Sequence, residues 1–227
     1  GGLPIVPAGV QTGKDVDVVV TSGTHLQGLQ KMVFSHPGIT AKAKVVKAET
    51  KWPIPKRLDK TYTVSIAEDV PLGAHDVWVI GTHGISNARL FIVGAREEHL
   101  EDNNQSFANA QEISVGTVVN GASQNGGIDY YQFKATKGQR ILIDCYADRI
   151  GSRMDPTLIL CDESGAEVIA NHDTNLRDPF IDFVVGADAT YVIKIHDVGY
   201  LGGPQYFYRL SLSNGPYIDW VEPSAIS

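Results

Sequence analysis

The chain has 227 residues, 43% of them hydrophobic and 20% charged, which is ordinary for a globular protein with one large or two modest cores. Twenty-six acidic residues against 19 basic ones give a net charge of −7, and no basic face of the kind a nucleic-acid binder needs can be read from the sequence. No apolar run reaches the roughly 18 residues of a membrane-spanning helix, so nucleic-acid binding and membrane insertion are both set aside.

The chain opens "GGLPIVPAG", with neither a methionine nor a signal peptide, as expected of a processed or excised piece. With 23 Gly and 11 Pro, turns are frequent. In "KDVDVVVTS" (14–22), Val16, Val18 and Val20 alternate with polar neighbours. "KMVFSHPG" and "AKAKVVKAE" follow as short strands. "KTYTVSIAED" places Tyr62, Val64 and Ile66 on one face and Thr61, Thr63 and Ser65 on the other, the period of a half-buried strand. "AHDVWVIGTHG" and "ARLFIVGA" complete about seven strands in under 100 residues, the density of an immunoglobulin-like sandwich.

Next comes "EEHLEDNNQSFANA" (97–110), which reads as a solvated linker, a helix start or a cation-holding loop. "SFANAQEI" is the one stretch with helical character, for one or two turns at most. Strand patterning then resumes. "IDYYQFKAT" puts Tyr131 and Phe133 on one face with Asp129 in register, and "QRILIDCYA" alternates Ile141, Ile143 and Cys145 against Leu142, Asp144 and Tyr146. "PTLILCDESGAEVIAN" reads as two strands joined by a turn at Glu163-Ser164-Gly165, and "FIDFVVG", "ATYVIKIHD" and "QYFYRLSLS" bring the total to about eight. The fold class is therefore all-β, two β-sandwiches in tandem, immunoglobulin-like then jelly-roll-like. The boundaries are 1–96, 97–214 and a linker 215–227 running towards a further module.

The blocks "EDNNQSFANAQEI", "VNG", "GGIDYYQFKATKGQRI", "DPTLILCDESGAEVIANHD" and "ATYVIKIHD…YFYRLSLS" resemble, in order, the bacterial pre-peptidase C-terminal (PPC) domain, a β-sandwich appended to exported proteases. More weakly, "PAGVQTGKDVDVVVTSGTHLQG" and "VPLGAHDVWVIGTHGISNARLFIVG" resemble immunoglobulin-like modules of the IPT/TIG type, and "YIDWVEP" resembles the opening strand of another. The PPC resemblance implies a calcium site at Glu101, Asn103, Asn104 and Asp129, because some relatives bind the ion through this pattern. Such a set suits calcium, which takes six to eight oxygens from carboxylates, amides and backbone carbonyls. Two positions depart from the fully loaded pattern, His99 and Gly126 standing where carboxylates are expected, so a weaker site, with one ion instead of two or none, is implied. The other reading is a solvated linker in which Asn103 or Asn104 caps the turn that follows.

Other chemistry is poorly supported. The pairs His172-Asp173 and His196-Asp197 match no metal spacing and read as turn residues, while the PPC resemblance implies Asp173 as a further candidate for a loop-end cation. No G-x-S-x-G elbow is present, and Asp144/Asp148 and Asp178/Asp182 look like solvated surface pairs. Cys145 and Cys161 are either a disulfide or two small buried side chains. Among aromatics outside a core pattern, Tyr130, Tyr200 (in the Gly-rich "DVGYLGGPQY"), Tyr206 and Trp220 stand out. Tyr130 and Tyr200 are the candidate ligand-binding residues. The expected function is a non-catalytic accessory fragment of a larger exported bacterial protein, extracellular, surface-bound or periplasmic. It would act as spacer and as adhesion or targeting unit, with calcium as the candidate cofactor stiffening the domain junction. The alternative is a carbohydrate-binding module that directs a parent enzyme to a polysaccharide. The expected partners are extracellular polysaccharide or protein, or neighbouring modules of the same chain.

Overall fold

The computed structural model describes residues 4–21, 28–47, 55–173 and 177–215. The expected linker 215–227, Trp220 included, lies outside them but for its first residue. The chain divides between Ala95 and Arg96 into two compact units.

The first unit holds β1 (Ile5–Val6), β2 (Gly9–Gln11), β3 (Asp15–Val20), β4 (Leu29–Phe34), β5 (Ile39–Lys47), β6 (Pro55–Ile66), β7 (Gly73–Gly81), β8 (Gly84–Ile85) and β9 (Arg89–Gly94). They form two sheets, β1-β3-β6-β5 and β2-β9-β7-β4, with β8 flanking β7. The β2–β9 pairing is parallel and the others are antiparallel. The alternation read from the sequence determines which side chains are buried. Val18, Val20, Tyr62 and Val64 of one sheet and Met32, Val77, Val79, Phe91 and Val93 of the other fill a common core. This is the immunoglobulin arrangement, with the first strand shared between both sheets. Strand β5 is a sheet edge carrying Lys42 and Lys44 outward, a charge pattern that discourages edge-to-edge pairing. Lys44 is paired with Asp17 on β3.

The second unit contains β10 (Glu97–Leu100), β11 (Gln111–Glu112), β12 (Thr117–Ala122), β13 (Asp129–Ala135), β14 (Arg140–Tyr146), β15 (Pro156–Asp162), β16 (Glu167–Asn171), β17 (Phe180–Val184), β18 (Ala189–Asp197) and β19 (Phe207–Ser213). The eight strands from β12 onward stack as β12-β19-β14-β17 over β13-β18-β15-β16, the alternation of a jelly roll. Two short strands, β10 and β11, add to the β12 and β13 edges in parallel. Val119, Ile141, Ile143, Cys145, Leu210 and Leu212 of one sheet meet Tyr131, Phe133, Leu158, Leu160, Ile193 and Ile195 of the other. Asp162 closes the 163–165 turn by accepting from the N–H groups of Ser164 and Ala166 and the Ser164 hydroxyl. Both cysteines are buried free thiols, and burial pushes both above the usual thiol range.

Two expectations change. The first residues of the acidic stretch, 97–100, form a strand and not a loop. Glu98 explains it. Its carboxylate takes both guanidinium nitrogens of Arg209 at 2.8 Å and the Asn120 side-chain amide at 2.8 Å. The side chains of this pair are only 3% and 6% exposed, so they hold β10 on the sheet from within. Asp178 does not lie on a solvated surface with Asp182. It is fully buried and accepts the N–H groups of Ala147, Asp148 and Arg149 while pairing with the Arg149 guanidinium at 2.7 Å. The short 3-10 turn at Asp148–Ile150 presents those donors together, and the carboxylate satisfies them.

Removing one partner of a buried ion pair strands the other. Glu98→Ala is therefore expected to cost the second unit about 3–5 kcal/mol in urea unfolding. The double change Glu98→Met with Arg209→Leu should recover much of that loss. Equal stability of wild type and Glu98→Ala would contradict this assignment.

Candidate functional site

Asp129 opens β13 on the face that also carries Tyr131 and Phe133, so alternation drives its carboxylate inward, where it is 2% exposed. The Tyr208 hydroxyl, from the opposing sheet, donates to Asp129 Oδ2 at 2.8 Å, and Tyr131 and Tyr208 share a hydroxyl–hydroxyl bond of 2.7 Å. Glu101 follows β10 and continues its ladder, donating its N–H to the Asn120 carbonyl at 2.9 Å. Its side chain reaches Gly121, where an added Cβ would stand 2.7 Å from Glu101 Oε2 and 2.5 Å from the Tyr208 hydroxyl. A glycine is required at that position.

Asn104 is fully buried. Its carbonyl accepts the Tyr130 N–H at 2.9 Å and its Oδ1 accepts from the Gln105 amide at 3.0 Å. Of the four buried side-chain polar atoms without a hydrogen-bond partner among the described residues, two lie here, Glu101 Oε2 and Asn104 Nδ2. Such groups are costly unless something else satisfies them. Burial, and behind it the Asp129 charge, pushes the Glu101 carboxyl from its ordinary 4.5 up to about 7, against the smaller opposing pull of the Ala122 N–H and the Tyr208 hydroxyl. Burial also raises Asp129, against the Tyr208 hydrogen bond, and pushes both tyrosine hydroxyls well above their usual range. A half-buried carboxyl raised by burial and by a neighbouring buried carboxylate favours a proton or a cation at that position.

The predicted ligand set divides. Glu101, Asn104 and Asp129 belong to this buried region. Asn103 is exposed, and its N–H donates to Asp102 Oδ1 at 2.8 Å. Among the described residues no group of three or more His, Cys, Asp or Glu side chains is disposed to hold a metal. A cation here would have two carboxylates and would depend on amide and carbonyl oxygens for the rest. The donor set and the unpartnered oxygen fit calcium on those terms. His99 is exposed on β10, and Gly126 occupies a tight turn at φ 69°.

The second candidate region is the turn after β18. Tyr200 is 46% exposed and lies flat on His196, with ring centroids 4.4 Å apart and planes 3° apart. Tyr130 is half-buried and meets Phe107 edge-on at 6.2 Å. His196 is therefore an aromatic support, while His172 remains exposed beside Asp173. The participation of Tyr208, Tyr131 and Gly121 in the carboxylate site was not read from the sequence. The one available signal was the placement of a second tyrosine on an inward face of the last strand.

No family model matches the chain. A segment of 96 residues is 33% identical to a probable subtilase-type serine protease of Deinococcus radiodurans. It covers 40% of this chain and 13% of the protease, so the chain spans only a small part of that relative. The chain is also similar to the solved pre-peptidase C-terminal domain of a collagenase from Bacillus anthracis, at 17% identity and a TM-score of 0.40, covering 50% of this chain and all of that domain. A periplasmic inhibitor of g-type lysozyme from Aeromonas hydrophila shows 15% identity and a TM-score of 0.36, with 51% of this chain and 97% of the inhibitor covered.

The raised Glu101 value lies above its unfolded counterpart. Its contribution to stability is therefore complete below about pH 4.5 and is lost as pH rises through about 7. With a chelator present, the second unit is expected to lose on the order of 1–3 kcal/mol across that window. Glu101→Gln should flatten this dependence in calorimetric melts. A wild-type profile already flat from pH 4.5 to 7.5 would contradict the pairing of Glu101 with Asp129.

Proposed function

We propose that the chain is a non-catalytic accessory part of a larger exported bacterial protein, a spacer and targeting unit whose second sandwich is rigidified by calcium. The observation that carries this reading is the buried Asp129 with the half-buried Glu101 beside it, whose Oε2 is buried without a hydrogen-bond partner. Glu101, Asp129 and Asn104 would hold the ion, with carbonyl oxygens completing its shell. The cation supplies positive charge to two buried carboxylates and ties the 101–104 segment to the start of β13. No bond-breaking step is involved.

The absence of catalysis is supported by how the reactive groups are used. Cys145 is in the core, Asp178 and Asp144 are bound to Arg149, and Asp197 accepts backbone N–H groups at a loop. The 33% identity to a short part of a subtilase-type protease supports a parent enzyme of that kind, and with it an extracellular or periplasmic setting. Among the described residues no helix is long and apolar enough to cross a membrane. Targeting of the parent protein to an external polymer is the second reading, supported by the exposed Tyr200 ring.

At pH 7.5, millimolar calcium is expected to raise the melting temperature of the second unit by several degrees relative to EDTA. Asp129→Asn and Glu101→Gln should abolish most of that increment. Superimposable melts in calcium and chelator would remove the ion from the account. Hydrolysis of casein or a polysaccharide by the purified chain would overturn the non-catalytic reading.

A further inference from the structure

The turn between β18 and β19 is braced from several sides. Asp197 Oδ1 accepts the N–H groups of Gly199 at 2.9 Å and Leu201 at 3.0 Å, and its Oδ2 accepts that of Asp155 at 3.0 Å. The Tyr200 N–H donates to the Asp197 carbonyl, and the Tyr200 carbonyl accepts the Gly126 N–H, both at 2.8 Å. Ser123 Oγ donates to the Leu201 carbonyl at 3.0 Å, and the Gly202 N–H donates to Asn125 Oδ1 at 2.9 Å. A Cβ on Gly202 would stand 2.2 Å from the Gln124 backbone, so the two turns are in direct contact.

Within this braced turn Tyr200 adopts φ 54°, the left-handed region that favours glycine. The turn already uses glycine at 199, 202 and 203, yet position 200 carries a large ring in a strained backbone conformation. One face of that ring is stacked on His196, which is only 8% exposed, while Tyr200 itself is 46% exposed. The ring is thus a flat surface, fixed from below, with its other face available. Val198 and Leu201 flank it at 59% and 53% exposure, and the amides of Gln124 and Asn125 are exposed on the adjoining turn.

We propose that this turn pair is a subsite for a neutral polysaccharide. A pyranose ring would lay its C–H face on Tyr200 and exchange hydroxyl hydrogen bonds with Gln124 and Asn125. Little ordering would accompany binding, because the ring and its backbone are already fixed. A neutral polymer is favoured over a uronate-rich one because acidic residues outnumber basic ones about two to one between residues 96 and 215. This inference rests on the targeting reading and names its ligand class.

The test is affinity electrophoresis of the whole chain through gels containing mixed-linkage β-glucan, xylan, soluble starch, alginate or gelatin, with sedimentation on cellulose and chitin. Wild type and Tyr200→Phe are expected to be retained by at least one neutral glycan. Tyr200→Gly, which removes the ring and relieves the backbone, should lose about tenfold in affinity, as should Tyr200→Ala. Gln124→Ala, which leaves the ring in place, should lose several-fold and keeps the test open if the Tyr200 variants misfold. Melting temperatures within a few degrees of wild type would assign these losses to binding. Three outcomes would overturn the proposal: no retention on any neutral glycan, wild-type retention by the folded Gly and Ala variants, or retention confined to alginate or gelatin. Each would leave the calcium-dependent melts and the absence of turnover standing as separate tests of the accessory role.

Discussion

Two carboxylates, the buried Asp129 and the half-buried Glu101, meet at the edge of the second sandwich's interior, and one Glu101 oxygen is buried without a hydrogen-bond donor. Desolvation raises both toward the protonated form, the Asp129 charge raises Glu101 further, and Tyr208 from the opposing sheet and Gln105 from the preceding loop hold Asp129 back. The surrounding structure accommodates this arrangement at several points. Gly121 leaves the room, the Tyr131–Tyr208 bond fixes the hydroxyl, and the Asn104 carbonyl holds the preceding loop to Tyr130. A buried charge pair without a role would be an expensive ornament in a domain whose net stability is only a few kcal/mol.

The neighbouring acid in the sequence solves the same problem differently. The Glu98 side chain is also withdrawn from solvent but fully matched, with Arg209 and Asn120 supplying donors to both oxygens. Asp178 and Asp197 likewise meet backbone N–H groups presented by a turn. These three acids are structural, and their environments show what complete satisfaction looks like in this fold. Glu101 differs from them by its unpartnered oxygen, which is the physical ground for assigning it to a cation.

The strand layout was legible because alternation is a local signal that burial then enforces. Val18, Val20, Tyr62, Val64, Tyr131, Phe133, Ile141, Ile143 and Cys145 all face a core as their spacing requires. The jelly-roll strand count and the turn at 163–165 followed from the same pattern and from turn chemistry. Strand β10 was illegible since "EEHL" has no apolar period and its anchor, Arg209, lies 111 residues away. Asp178 misled for a similar reason. A carboxylate buried by three backbone donors has the same sequence signature as one on the surface. Within the candidate site, Asp129 was readable from its register with Tyr131, whereas Gly121 and Tyr208 come from other strands and carry no local mark. The Tyr200–His196 stack depends on a backbone turn with positive φ, which a run of glycines around a tyrosine only hints at.

The most direct measurement is tyrosine-sensitised terbium emission, because Tyr208 donates its hydroxyl to the very carboxylate assigned to the ion. Terbium shares calcium's preference for hard oxygen ligands and reports occupancy without relying on stability. The account predicts saturable emission at one ion per chain, displaced by calcium and absent in Asp129→Asn. Emission that fails to saturate, or that persists unchanged in Asp129→Asn, would contradict it.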